Sequence, residues 1–262
     1  MVDRYKQTNK FTLFFVFSCL LLSYLFVLTR ADAAPPFVSP GVVYTQGDID
    51  TWTIGSPEYT RLASTPAADV TSGSARFVPV DFGTQINSGG DGSDPNNQLN
   101  YGLKNQSGFA KVQAVLYATD GDTDRRDKVV SYLVEYGSVT SFETDPGEQY
   151  RLVAGWSCTN LAQAAELINY NDAAFDTFLE DVCYPILDWT ANPNWHASFA
   201  DSRLAIAAYL EDAALWTDAK AYFNQRISQS IYHSTYDMGS VNPLPNSTTP
   251  NVVLTEQHWG RT

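Results

Sequence analysis

Asn194, Trp195 and His196 stand side by side in ANPNWHASFADSRLAIAAYLED (191–212), at the expected mouth of a helix, and they are three different chemical tools. An amide donates to an anion, an indole offers an apolar plane for stacking, and an imidazole moves protons near neutral pH. With a helix starting at 195, Asn194 takes the N-cap position. There its amide and the free backbone N–H groups at the positive helix end would together meet an anion. The same position lets the side chain cap the helix by accepting from residue 196 or 197. Trp195, Phe199, Ser202 and Ile206 recur at the spacing of a buried stripe, so Trp195 reads as core or as a stacking residue. His196 and Arg203 share another face with Ala200 and Ala207 between them. Small residues there suit a close ligand, and a polar face salt-bridged to the nearby Asp201 is the other reading.

A second group lies upstream in EQYRLVAGWSC (148–158), read as a loop ahead of a helical pair. Gln149 supplies a donor, Tyr150 a possible acid or base, Arg151 a cation and Trp156 a stacking plane. No zinc-ligand spacing, Ser-His-Asp order or Gly-rich phosphate loop accompanies them, so neither metal nor cofactor is expected. A glycan hydrolase would use a pair of carboxylates, for which Glu166, Asp201 and Glu211 exist, but no spacing selects two of them.

The elements that must position these groups are helical hairpins. In SGFAKVQAVLYATDG, Phe109, Val112, Val115 and Leu116 form one stripe, and in DTDRRDKVVSYLVEYG, Val129, Tyr132, Leu133 and Tyr136 form another. CTNLAQAAELINYN and AFDTFLEDVCYPILDWT make a second pair, kinked at Pro185. NWHASFADSRLAIAAYLED and AALWTDAKAYFNQRISQSIY make the third. The first and third pairs repeat a pattern of apolar helix, acidic turn, early Asp and Tyr-containing stripe, which implies a solenoid or a closed helical toroid. Before them, residues 34–105 read as irregular: APPFVSPG and NSGGDGSDPNNQ are turn-rich, and ARFVPVDFG offers one short strand. This segment is expected to wrap the domain at 106–262.

The N-terminus carries a separate signal. Arg4, Lys6 and Lys10 precede the apolar run FTLFFVFSCLLLSYLFVLT (11–29), and Ala31-Asp32-Ala33 follows, so residues 1–33 read as a secretory signal peptide. The run is also long enough to serve as a single-pass signal anchor, so a membrane is a partner only if it stays uncleaved. Either way the domain lies outside the cytosol, secreted, extracellular or periplasmic, with the basic end left inside. Cys19 leaves with the signal, so Cys158 and Cys183 remain as a pair in an oxidising compartment and are expected to form a disulfide, worth about 3 kcal/mol. Two buried free thiols are the alternative. Asn105-Gln-Ser and Asn246-Ser-Thr are glycosylation sequons that matter only in a eukaryotic secretory route.

Composition narrows the partners. The chain of 262 residues has 16 basic and 29 acidic side chains, and four basic and two acidic ones lie in residues 1–33, leaving 12 against 27 and a net charge of −15. Nucleic acid is excluded, because phosphate binding needs a concentrated basic surface. Aromatic residues at 13% and charged residues at 17% describe a well-packed domain, expected to be a monomer.

LYATDGDTDRRDKVVSYL, RLVAGWSCTNLAQAAELI and NPNWHASFADSRLAIAAYLEDAALWTDAKAYF, in that order, resemble the alginate lyase family of the chondroitin AC/alginate lyase superfamily. The resemblance covers about residues 37–262 and is strongest from 108 to 227. It implies an all-α fold, an incomplete α/α toroid whose deep cleft binds an acidic polysaccharide such as alginate or glucuronan. The implied chemistry is β-elimination at a uronate: the carboxylate is neutralised, the proton on the neighbouring ring carbon is removed, and the leaving oxygen is protonated. The family places an Asn-His pair at the start of this helix, and an Arg and a Tyr on a later one. Asn194 falls on the family's Asn and neutralises the carboxylate in this reading. Trp195 stands where the family has His, and His196 lies one step further, turned by about 100°. The family continues with an acidic residue, an Arg-Asp pair and a His on a later helix, whereas this sequence ends at VVLTEQHWGRT, where His258 does not have the spacing to replace them. A fragment of a longer lyase, or a non-catalytic carbohydrate-binding relative, is therefore expected.

Overall fold

Short capped helices lead into the body of the fold. Thr45 opens α1 (Gln46–Ile49), its hydroxyl accepting from Asp48 N–H while the Asp48 carboxylate accepts from Thr45 N–H. Ser56 caps α2 (Pro57–Ala63) by accepting from Tyr59 N–H. The computed structural model describes residues 44–70, 78–88, 97–144, 148–188, 195–233 and 252–254, with side chains through Gln225. All of them lie within one unit, Phe37–Thr262. The expected signal segment, Cys19, Asn194, Asn246 and His258 fall outside the described residues.

Three hairpins follow, and each turns on the same local device. The first joins α3 (Asn105–Asp120) to α4 (Thr123–Leu133). The second joins α5 (Gln149–Leu167) to a broken return leg, in which α6 (Ala173–Thr177), a π-helical stretch (Phe178–Cys183) and α7 (Tyr184–Ile186) follow one another. The third joins α8 (His196–Tyr209) to α9 (Ala213–Ser230). At each turn one residue takes the left-handed backbone conformation: Gly121 (φ 71°), Asn169 (φ 52°) and Glu211 (φ 52°). An aspartate then caps the return helix. Asp122 accepts from Asp124 N–H at 3.0 Å, Asp172 from Ala174 and Phe175 N–H, and Asp212 from Ala214 and Leu215 N–H at 2.7 and 2.9 Å. The acidic turns legible in the sequence are these caps. The kink expected at Pro185 takes the form of the π-helical stretch just before it, because Pro185 withholds the N–H that would continue the ladder.

The outgoing helices α3, α5 and α8 lie side by side, α5 between the other two. The contacts along them give their direction. Trp156 meets Ser198 near the start of α8, Thr159 meets Ser202 one turn on, and Tyr209 at its end bonds to the carbonyl of Tyr170 just past α5. Thus α5 and α8 run parallel. Lys104, just before α3, reaches Trp156, and Lys111 two turns on feels Asp201, so α3 runs the same way. The return helices α4 and α9 pack against α3 and α8.

Aromatic stacking marks the centre of the core. Tyr136 lies between Phe82 and Phe178, with ring centroids 4.9 and 5.1 Å away, and all three are buried. The N-terminal segment is tied to the hairpins by polar side chains: Gln106 donates to the Val78 carbonyl (2.7 Å), Gln113 to Ala67 (2.6 Å) and Arg125 to Ala68 (2.9 Å). Of ARFVPVDFG only residues 78–83 are described, and they form no strand; a short strand lies just after them. β1 (Gln85–Ile86) pairs in parallel with β2 (Ser141–Phe142), while Asp81 takes up a turn by accepting from Gly83 N–H. A second ribbon pairs β3 (Ile231–His233) with β4 (Val252–Leu254) antiparallel.

Cys158 of α5 and Cys183 meet in the core within hydrogen-bond contact, both buried and both free thiols. The bridge expected from the sequence is not closed here. Burial drives the Cys183 thiol well above its usual pKa and keeps it protonated. Asn105 of the first sequon begins α3, with Gln106 and Ser107 buried behind it.

Candidate functional site

Gly155 lets α5 and α8 approach each other. A Cβ there would sit 2.8 Å from Phe199 Cδ1, closer than side-chain carbons pack, so only glycine admits the Phe199 ring at this depth. The contact is locked by Ser202, whose hydroxyl donates to the Gly155 carbonyl at 2.7 Å and accepts from Thr159 N–H at 3.0 Å. One hydroxyl thus serves both partners of an i, i+4 backbone pair of α5. Thr159 also donates to Asp201 at 3.1 Å.

Two groups of side chains flank this contact. The first is exposed. Trp156 donates its indole N–H to Ser198 Oγ at 3.1 Å, the Lys104 ammonium lies 5.1 Å over the ring, and 42% of the residue stays open to solvent. Lys111 of α3 follows Lys104, the residue just before that helix, by seven positions, with Gly108 between them and nothing within 4 Å of where a Cβ would be at Gly108. Burial lowers the pKa of Lys111, and the charge of Asp201 opposes that.

The second group is buried. The Arg203 guanidinium lies between two rings, 4.2 Å from Tyr184 and 5.0 Å from Tyr222, and is ion-paired with Asp218 of α9. Tyr184 closes the set, its hydroxyl within 2.9 Å of both Asp218 Oδ2 and the Leu215 carbonyl. Burial first of all raises the Tyr184 pKa. His196, 2% exposed, meets Tyr222 edge to face at 6.2 Å. The group therefore joins a histidine and an arginine of α8 with a tyrosine from each of α7 and α9.

The structure sorts the sequence expectations residue by residue. α8 begins at His196, and Trp195 holds the cap position with helical backbone and no side-chain cap bond. Asn194, expected at that cap, lies one residue earlier, outside the described residues. Trp195 is buried with its ring edge-on to Phe199, so the core reading replaces stacking on a ligand. The stretch 148–158, expected as a loop, is the first half of α5, because Tyr150, Val153, Ala154, Ser157 and Cys158 bury one broad face. Tyr150 is packed against Phe142 with Arg151 over its ring, so it is a core residue and offers no exposed acid or base. Arg151 pairs with Glu148 at 2.7 Å and donates to the Ile186 carbonyl at 2.8 Å, which latches α5 to α7 and spends its charge on the fold. Gln149 is exposed at the first position of α5. Arg203 pairs with Asp218 and not with Asp201, since residues two apart on a helix face different ways, and Ala200 and Ala207 are buried beside it where a ligand approach was one reading.

Lys104, Lys111, Tyr184, Asp218 and Tyr222 were not foreseen. Lys104 and Lys111 carry a readable signal in their seven-residue spacing around Gly108, and Tyr222 lies on the stripe of the last helix. Nothing in the sequence links Tyr184, from the neighbouring hairpin, to Arg203. Among the described residues no three His, Cys, Asp or Glu side chains are grouped to hold a metal ion, and no helix is long and apolar enough to cross a membrane. No protein family, curated protein or solved structure matches this chain.

Proposed function

We propose that this chain is a secreted polyuronate lyase, or the N-terminal part of one, that cleaves an acidic polysaccharide such as alginate or glucuronan by β-elimination on an incomplete α/α toroid. The observation that carries the reading is the joining of Arg203, Tyr184 and Tyr222 with His196, which heads α8 two residues after Asn194 in sequence. β-Elimination needs a donor for the uronate carboxylate and a proton acceptor and donor on either side of the scissile bond. Asn194 fills the first role, and the His196–Tyr222 pair supplies side chains of the proton-transferring kind. Arg203 and Tyr184, both engaged with Asp218, act as positioning residues that hold Tyr222 against His196. The parallel run of α3, α5 and α8, with α4 and α9 packed against them, supports the toroid. Passage through an oxidising compartment would join Cys158 to Cys183, already in contact.

The test is ultraviolet absorbance from the new ring double bond during incubation with alginate and glucuronan. Absorbance rises with the unaltered chain, is lost in Asn194→Ala, and falls in His196→Gln and Tyr222→Phe. A rise that survives Asn194→Ala removes the assignment. A non-catalytic acidic-glycan binder is the second reading, favoured by the near-complete burial of the His196 group. It predicts binding of the same polymers with no absorbance from any variant.

A further inference from the structure

We propose that Trp156, Lys104 and Lys111 form a stacking subsite for a single uronate residue, apart from the buried group around Arg203 and reached from solvent. The inference rests on the acidic-polysaccharide reading above and assigns where the polymer is gripped.

Three observations carry it. Trp156 is one of the few large apolar side chains left exposed among the described residues, and its ring is held in one orientation by the bond to Ser198. An exposed indole hydrogen-bonded at its edge is a preorganised plane for the apolar face of a pyranose ring, with less rotamer freedom to lose on binding. The second is charge. In a chain of net charge −13, the Lys104 ammonium lies 5.1 Å from the ring centre, and Lys111 follows it by two turns of helix, where it feels the charge of Asp201. A neutral sugar has no use for that pairing, whereas a uronate presents its ring face and its carboxylate together. The third is room. Gly108 lies between the two lysines on α3 with open space where a side chain would stand, so the face is not walled off by its own helix. Ser198 adds a hydroxyl at the indole edge, and Asp201, which accepts from Thr159, acts on Lys111 from α8.

Binding would draw the Lys104 ammonium from its position over the indole toward the sugar carboxylate. Exchanging a cation–π contact for a charge-assisted pair is favourable at low salt and weakens as salt screens it. The subsite lies at the start of α3 and in the first half of α5, beside the α5–α8 contact, while His196 heads α8. A polymer gripped here would extend along the parallel helices.

The experiment uses the full chain and isothermal titration calorimetry with a mannuronate tetrasaccharide, and with a neutral mannose tetrasaccharide as control. The acidic tetrasaccharide binds, and the neutral one binds at least tenfold more weakly. Trp156→Ala weakens acidic binding about tenfold or more, and Trp156→Phe, which keeps a smaller plane and the same packing, weakens it less. Lys104→Met weakens it severalfold and flattens its salt dependence. Unchanged affinity in both Trp156 variants overturns the subsite, as does a neutral tetrasaccharide that binds equally well. The lyase reading is scored separately by absorbance. Turnover with an unaltered KM in Trp156→Ala removes the subsite and leaves the lyase. Trp156-dependent binding without turnover keeps the subsite and removes the lyase. An unaltered chain that neither binds nor turns over either sugar removes both.

Discussion

Adding one methyl group at Gly155 should loosen the α5–α8 contact that underlies both groups of side chains. An alanine Cβ would lie 2.8 Å from Phe199 Cδ1 and 3.1 Å from Cε1. Carbon atoms pack best at about 3.5–4.0 Å, so the ring or the helix must retreat by about 0.7–1.2 Å. Phe199 is fully buried with Trp195 against its edge, so it has no free volume to retreat into. Overpacking of this kind costs about 1–3 kcal/mol, and the better helix propensity of alanine returns about 1 kcal/mol, for a net loss of up to about 2 kcal/mol. Separation would also stretch the Ser202 bonds to Gly155 and Thr159. The assay is urea denaturation, with Gly108→Ala as internal control. The same change there meets nothing within 4 Å, so propensity acts alone and the variant gains about 0.5–1 kcal/mol. With an m-value of about 3 kcal/mol/M, the Gly155→Ala midpoint falls by up to about 0.7 M while that of Gly108→Ala rises. Adding Phe199→Leu to Gly155→Ala should recover part of the loss through non-additive coupling. Both alanine variants shifting in the same direction would refute the reasoning.

Other expectations follow from charge and backbone. Asp218→Ala leaves the Arg203 guanidinium, whose side chain is 6% exposed, buried without its carboxylate, so it should lower thermal stability more than Arg203→Met, which removes the charge with its partner. Glu211→Gly removes a side chain from a left-handed residue at a hairpin turn and should raise the denaturation midpoint by an amount equivalent to about 1 kcal/mol. Burial raises the pKa of Asp176 above 3.8, with Tyr209 opposing and Asp172 adding to the shift. The folded state then binds this proton more tightly than the unfolded one, so stability falls as pH rises from about 3.8 through the folded value and stays low above it. Asp176→Asn should flatten that fall in denaturation midpoints measured across the acid range; an unchanged pH profile would remove Asp176 as its source.

The hairpins were legible because their apolar stripes and acidic turns are local signals, and the three aspartate caps are the physical content of those turns. The start of α5 was not legible. Its buried face is broad and built partly of Ala, Ser and Cys, so the apolar period is weak, and Gly155 reads as a breaker unless the partner ring that requires it is known. The site divides in the same way. Trp156 is exposed, whereas Tyr150, Arg151 and Trp195 are committed to packing and to the α5–α7 latch. Residue type alone cannot separate those uses. The Arg203 group was out of reach because its members come from α7, α8 and α9, and spacing within one helix pointed to Asp201 in place of Asp218.

The turn device shared by the hairpins has a bearing on how the chain assembles. A left-handed residue followed by a capping aspartate closes each hairpin using residues within a few positions of one another. Little chain must be searched before the first contacts form, and topologies of this local kind fold quickly. Each outgoing helix and its return leg can therefore come together as soon as both have been synthesised, without waiting for the C-terminal end. Assembly in the order of synthesis would lay α5 against a finished α3–α4 pair and α8 against α5, adding the parallel layer one helix at a time.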